Sequence, residues 1–213
     1  MIVADVMSTN IVSITSNTPL VKARRIMEAH GIRRLPVVDR GKLVGIVTKD
    51  ALDRMGPSKL TTFSMHELVY LLNKITVKEV MHREPVTVAP DMTVEEAVAL
   101  AQSKQVGALI VMEGQRIVGI CTTNDFFYRI LNPILGIKLP GSRIVVRNCH
   151  KGKDIEKVVA AINKLNIGIT NLFLIDFPHV GKHDLVVHLD VPDTSKVIAE
   201  VKKLGCPVEE RAR

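Results

Sequence analysis

The chain has 213 residues, of which 46% are apolar, with no Trp, two Tyr and five Phe. That is enough apolar side chain for one large core or two smaller ones, and it excludes stacking of a bound base on Trp. The net charge of +7 is spread evenly, with 17 basic and 13 acidic residues over 1–141 and 12 and 9 over 142–213. No basic run exceeds a pair such as Arg24-Arg25 or Lys202-Lys203, so the clustered stripe that binds a phosphate backbone is missing. Cys121, Cys149 and Cys206 are scattered, odd in number and without a C-x-x-C. This fits a reduced, cytoplasmic protein without a disulfide framework. The opening residues carry Asp5 and no apolar h-region, so no signal peptide is expected. No apolar run approaches the ~20 residues of a membrane span.

In chain order the dominant feature is a repeat. Residues 3–52 align with 77–126 at a constant offset of 74 without a gap, and eleven of the 50 pairs are identical, among them Met7/Met81, Val12/Val86, Gly45/Gly119, Ile46/Ile120 and Thr48/Thr122. Such self-similarity implies two copies of one supersecondary unit.

Each copy opens with an alternating apolar segment, 11–14 and 86–88. A helix follows. In the first copy Asn17 or Thr18 can cap it, Pro19 suits its first turn and Gly31 its end. In the second, Thr93 and Glu96 have the spacing of a capping box. The apolar stripes are Leu20, Ala23 and Ile26, and Val94, Ala97, Val98 and Ala101. Two β-rich runs joined by a polar turn then predict a hairpin, 35–47 and 109–121. A second helix begins at Thr48 or Thr122. The spacing predicts a connector over 56–75, helical from Ser64 to Lys74. One such unit is too small to cover both faces of its sheet, so the copies are expected to pack together.

Residues 7–52 and 81–126 resemble CBS domains, and the pair resembles a Bateman module. With the connector and the Leu139-to-Val146 stretch, the whole chain resembles the AcuB-like family of CBS proteins, named for acetoin utilisation, which carries a C-terminal ACT-like domain. The resemblance implies an α+β fold, with two β-α-β-β-α repeats packed through their sheets. Repeat one spans 1–56, the connector 57–75, repeat two 76–138 and the ACT-like domain 142–213. It also implies a non-catalytic regulatory sensor, with no cofactor and no metal, that binds AMP, ADP, ATP or S-adenosylmethionine between the repeats. A homodimer and an unidentified target protein are expected as partners.

The chemistry centres on strand–Thr–x–x–Asp. A helix starting directly after a strand presents free N–H groups to phosphate, and Thr122 adds a hydroxyl. An acid one turn later can accept from both ribose hydroxyls. The segment Gly119-Ile120-Cys121-Thr122-Thr123-Asn124-Asp125 matches the family pattern in full, which makes Ile120, Thr122, Asn124 and Asp125 site residues. The family geometry completes the cleft with Met7, Asn10 and Val12 near the base and Ile32, Arg33 and Arg34 along the wall. Thr-x-x-Asp also has the spacing of a helix cap, and the two roles are compatible. The first repeat departs from the pattern. Ala51 stands at the acid position and Asp50 is displaced by one residue, about 100° around a helix. A second, weaker site would use Thr48, Asp50, Val86, Gly107 and Ala108.

Residues 142–213 have another order: strand 143–149, helix 154–166, strands 169–177 and 184–191, helix 194–204, strand 207–210. The stripe Ile155, Val158, Val159, Ile162 and Leu165 has helical spacing. This β-α-β-β-α-β order is a ferredoxin-like split motif and looks like an ACT domain. Gly152 is near the family's ligand loop, but Lys151, Lys153 and Asp154 replace its apolar surroundings, so dimerisation or structural support is the expected role. His179, His183 and His188, with Asp176 and Asp184, flank a hairpin turn. Alternating strand faces separate them, so zinc is not expected. Cys149 and His150, adjacent on a strand, would point to opposite faces. Phe126, Phe127 and Tyr128 read as an apolar helix face or a dimer contact. No Walker loop, G-x-S-x-G or H-E-x-x-H occurs, so no enzyme is expected. The alternative that the charge invites is a nucleic-acid-associated regulator, which salt-dependent retention on duplex DNA would favour.

Overall fold

The computed structural model describes residues 1–55, 74–149, 151–177 and 181–210, and it divides into two compact units, Met1–Phe127 and Tyr128–Arg213. The helix predicted from Ser64 lies outside the described residues except for Lys74.

The first unit contains both repeats. Repeat one runs α1 (Val3–Val6), α2 (Leu20–Ala29), β1 (Arg34–Asp39), β2 (Lys42–Thr48) and α3 (Lys49–Arg54). Repeat two runs through a single turn at Val77–Glu79, then β3 (Thr87–Val88), α4 (Val94–Ser103), β4 (Ala108–Glu113), β5 (Arg116–Thr122) and α5 (Thr123–Phe126). β1 and β2 are antiparallel with a register shift at Val37/Val38, and β4 and β5 repeat the arrangement with the shift at Val111/Met112. Arg40 (φ 51°) and Gly41 (φ 78°) take the left-handed conformations that a two-residue hairpin turn requires. The opening segment of each copy lies parallel to the following strand. It is a two-residue strand in repeat two and a single bridge, Ile14 to Val37, in repeat one.

The repeats exchange their first eight residues. Val3 and Ala4 N–H donate to Met92 and Pro90 carbonyls, each at 2.9 Å, and Val77 and Lys78 N–H donate to Thr18 and Ser16 carbonyls, each at 2.9 Å. Ser8 then pairs antiparallel with Ile120, and its counterpart His82 pairs with Ile46. Val77 is accordingly fully buried in the core of repeat one, among Ile14, Leu20, Ala23, Met27, Leu35, Val37, Val47 and Leu52. Two glycines admit the crossing chains. A Cβ on Gly119 would collide with Met7, and one on Gly45 would lie 2.9 Å from Met81 Sδ.

This exchange also decides how α2 starts. Neither Asn17 nor Thr18 caps it; Pro19 occupies the cap position and Leu20 is the first helical residue. Thr18 is engaged elsewhere, its carbonyl by Val77 and its hydroxyl by Thr15 at 3.2 Å. In repeat two the capping box forms, with Glu96 N–H donating to Thr93 Oγ1 and Thr93 N–H to Glu96 Oε2, both at 3.3 Å. Gly31 (φ 63°) ends α2, and Gln105 (φ 53°), 74 residues on, ends α4 in the same way.

The second unit runs β6 (Ser142–Val146), α6 (Gly152–Lys164), β7 (Ile169–Phe177), β8 (Lys182–Leu189), α7 (Ser195–Lys203) and β9 (Val208–Glu210). The sheet order is β7-β8-β6-β9 with antiparallel neighbours, so two split β-α-β units interlock. Val158 and Ile162 of the α6 stripe join Ile144, Val146, Leu185, Val187, Val197 and Val201 in the core. Gly152 is the first helical residue and not part of a preceding loop.

Candidate functional site

Thr122 ends β5 in extended conformation and α5 begins at the next residue. The abrupt strand-to-helix change brings Asp125 one turn in, where its carboxylate closes the cap. Thr122 N–H donates to Asp125 Oδ2 at 2.8 Å and the Thr122 hydroxyl at 2.6 Å. Ser8, from the exchanged leading segment, donates its hydroxyl to Asp125 Oδ1 at 2.9 Å. The carboxylate is therefore held from both repeats.

It borders a cavity of about 290 Å³ between the repeats. Of the residues expected there, Asn10, Val12, Ile32, Arg33, Arg34, Ile120, Thr122, Asn124 and Asp125 line it. Met7 is not in the wall; its side chain is committed to Gly119. Ser8, Ile11, Gly31 and Pro36 line the cavity without having been expected. Ser8 had a readable signal: once Met7 packs onto the sheet, the next residue of an extended chain points the other way.

The cavity carries both charges. The Asp125 carboxylate and the hydroxyl side chains Ser8 and Thr122 line it together with Arg33 and Arg34, and Val12, Ile32, Pro36 and Ile120 supply aliphatic wall. Arg33 Nη2 lies 2.8 Å from Asp50 Oδ1 in a pair exposed on both sides. Arg34 is half-buried. Burial pushes its pKa below the ordinary value, the Asp50 charge opposes that and Arg33 adds to it. Its guanidinium lies against Gly107, where an added Cβ would displace it. The Thr122 N–H at the cap is used on Asp125, and the first N–H of α5, that of Thr123, on the Gly107 carbonyl at 3.3 Å.

The residues expected for the second site have the following partners. Thr48 Oγ1 caps α3, accepting from Ala51 N–H at 3.2 Å. Asp50 turns to Arg33. The Val86 carbonyl accepts from Ile110 N–H at 2.9 Å. Gly107 and Ala108 line another cavity, about 380 Å³, whose walls include Val98, Ala101, Cys121, Phe126 and Phe127 but not Thr48, Asp50 or Val86.

Elsewhere, His188 is fully buried with its ring 5.8 Å from that of Phe173, while His183 Nδ1 lies 3.0 Å from Asp176 Oδ1. His150 and His179 fall outside the described residues. Among the described residues no three His, Cys, Asp or Glu side chains converge as a metal site. No described helix is long and apolar enough to cross a membrane.

The CBS-domain family profile matches residues 3–55 and 77–132, and the chain belongs to that family. An AcuB (acetoin utilization) structure from Vibrio cholerae superposes with a TM-score of 0.51 at 30% identity, covering 62% of this chain and 91% of that one. The CBS domain pair of protein MJ0100, solved with 5-methylthioadenosine and S-adenosyl-L-methionine, gives 0.50 at 28% identity over 62% of this chain and 96% of that one. An inosine-5′-monophosphate dehydrogenase from Korarchaeum cryptofilum is 30% identical over 126 residues, which are 58% of this chain but 23% of the enzyme. The likeness to such enzymes is to their CBS part.

Proposed function

We propose that this chain is a non-catalytic regulatory sensor whose Asp125 cleft binds an adenosine-type ligand, with AMP, ADP, ATP and S-adenosylmethionine as candidates. The observation that carries the reading is the carboxylate of Asp125, fixed by Ser8 and Thr122 in a cavity that Arg33 and Arg34 also line. A ribose diol suits an oriented carboxylate, a phosphate suits a guanidinium, and the base would rest on aliphatic side chains. Thr123, the first residue of α5, already donates its N–H to the Gly107 carbonyl, so phosphate recognition is assigned to the arginines. The ligands of the MJ0100 pair support the same ligand class.

The split β-α-β sheet of the second unit supports an ACT-like reading, with pairing of subunits as its role. Sedimentation at two protein concentrations checks that part.

The binding reading is tested by a thermal-shift and calorimetry panel of AMP, ADP, ATP, S-adenosylmethionine and NAD. A ligand at 100 times its Kd adds about 2.7 kcal/mol, or several degrees for a domain of this size. Asp125→Ala should abolish binding. Because that change also removes a helix cap worth about 1 kcal/mol, folding is checked by circular dichroism. Unchanged affinity in the folded variant defeats the assignment.

A further inference from the structure

The arginines of the cleft share one counter-anion. Asp50 Oδ1 is 2.8 Å from Arg33 Nη2, and its charge also reaches Arg34, where it opposes the effect of burial. The repeat explains how a carboxylate comes to be there. Asp50 is the counterpart of Asn124, and Ala51 the counterpart of Asp125. Thr48 caps α3 as Thr122 precedes α5, so the two helix starts are alike. Moving the acid back by one residue rotates it by about 100°. In repeat one this takes the carboxylate out of the position that Asp125 fills and sets it on Arg33.

We propose that Asp50 is the charge-selectivity residue of the Asp125 cleft: an internal anion that competes with ligand phosphate for Arg33 and so limits how strongly the cleft prefers polyphosphorylated over uncharged adenosine ligands. This deepens the nucleotide reading given above and rests on it. Arg33 and Asp50 are both largely exposed, 61% and 67% by side chain. Exposed pairs are weak enough for a ligand to displace, worth up to about fivefold in an equilibrium constant. A phosphoryl group, which carries more charge and accepts from a guanidinium through two oxygens, is the stronger partner. An uncharged nucleoside has nothing to exchange for Asp50 and leaves the pair in place.

Calorimetry of the full chain with adenosine, AMP, ATP and inorganic tripolyphosphate, on wild type, Asp50→Asn, Arg33→Gln and the double variant, tests this. In Asp50→Asn the ratio of ATP to adenosine affinity should rise about fivefold, with AMP in between. The same substitution on an Arg33→Gln background should move that ratio by less than half as much. An equal change for all ligands, or none, overturns the proposal while leaving the nucleotide reading intact. Tighter tripolyphosphate binding to Asp50→Asn, with AMP and ATP binding no better than tripolyphosphate and no adenosine binding, would uphold the charge role and defeat the nucleotide reading. Failure of every ligand on every protein defeats both.

Discussion

Ser8 and Asp125 stand 117 positions apart in the chain and are joined by a hydrogen bond of 2.9 Å. The bond exists because the leading segment of repeat one pairs with β5 at Ile120, two residues before the Thr122 cap. It ties the exchanged segment to the carboxylate assigned to ligand. Ser8→Ala should lower the stability of the first unit by about 0.5–1.5 kcal/mol, the net worth of such a bond. On an Asp125→Ala background the same change should cost much less. Urea denaturation of the four proteins in a double-mutant cycle measures the difference.

The two glycines at the crossing points should not tolerate alanine equally. A Cβ on Gly45 would lie 2.8 Å from the His82 carbonyl oxygen, which is itself fixed by a 2.9 Å bond from Ile46 N–H. The three atoms nearest a Cβ on Gly119 all belong to the flexible side chain of Met7. Gly45→Ala is therefore expected to cost toward the upper end of the about 1–3 kcal/mol range for overpacking, and Gly119→Ala toward the lower end. Combining Gly119→Ala with Met7→Ala should cost less than the sum of the single changes, as read from denaturation midpoints.

In the second unit Arg147 bridges Asp184 and Glu209; its hydrogen bonds to Glu209 and then Asp184, followed by their charges, hold its pKa above the ordinary value. Asp184 is only 2% exposed. Arg147→Met strands that carboxylate and should cost about 3–5 kcal/mol, whereas Glu209→Gln, at an exposed partner, should cost under about 1 kcal/mol. Adding Asp184→Asn to Arg147→Met should recover part of the loss. Chemical denaturation of the three variants checks the order.

Burial pushes the Cys149 thiol from 9.0 up to about 11, and the charges of Cys206 and Asp154 push the same way. The folded state therefore favours the neutral thiol. That contribution is fully present below pH 9 and is lost as pH rises toward 11. Stability measured across this window should fall less steeply in Cys149→Ala than in wild type. Iodoacetamide at pH 8 should modify half-buried Cys206 well before Cys149.

Much of this was legible because the repeat supplied two readings of every element. Thr93 and Glu96 fixed the start of α4 locally, and the β-rich runs around Arg40-Gly41 could only be a hairpin. The stripe of α6 was readable by the same periodicity, although Ala161, also buried, falls outside it. What could not be read was set by tertiary pairing. Thr18 looked like a cap until Val77 claimed its carbonyl. Met7 looked like a cleft residue, yet Gly119 offers it a groove in the sheet. The role of Asp50 depends on Arg33 standing beside it at the open end of the hairpin, where Arg34 pairs with Thr48, a register that the local spacing of Asp50 does not reveal. The polar character of Asn10, Asn124 and Asp125 was visible in the residues themselves, but their convergence was implied only by the family resemblance.

The reciprocal trade of leading segments has a consequence for any half of this molecule. A lone repeat retains its own hairpin and helices but lacks the stretch that seals its interior, because that stretch belongs to its twin. It could become whole only by taking the missing piece from another chain. Two identical halves meeting in this way would rebuild the architecture as a symmetric pair, with matching crevices where the fused chain has diverged. Within one chain the two halves need not match, and here one acid faces the crevice while the residue at its counterpart position is Ala51.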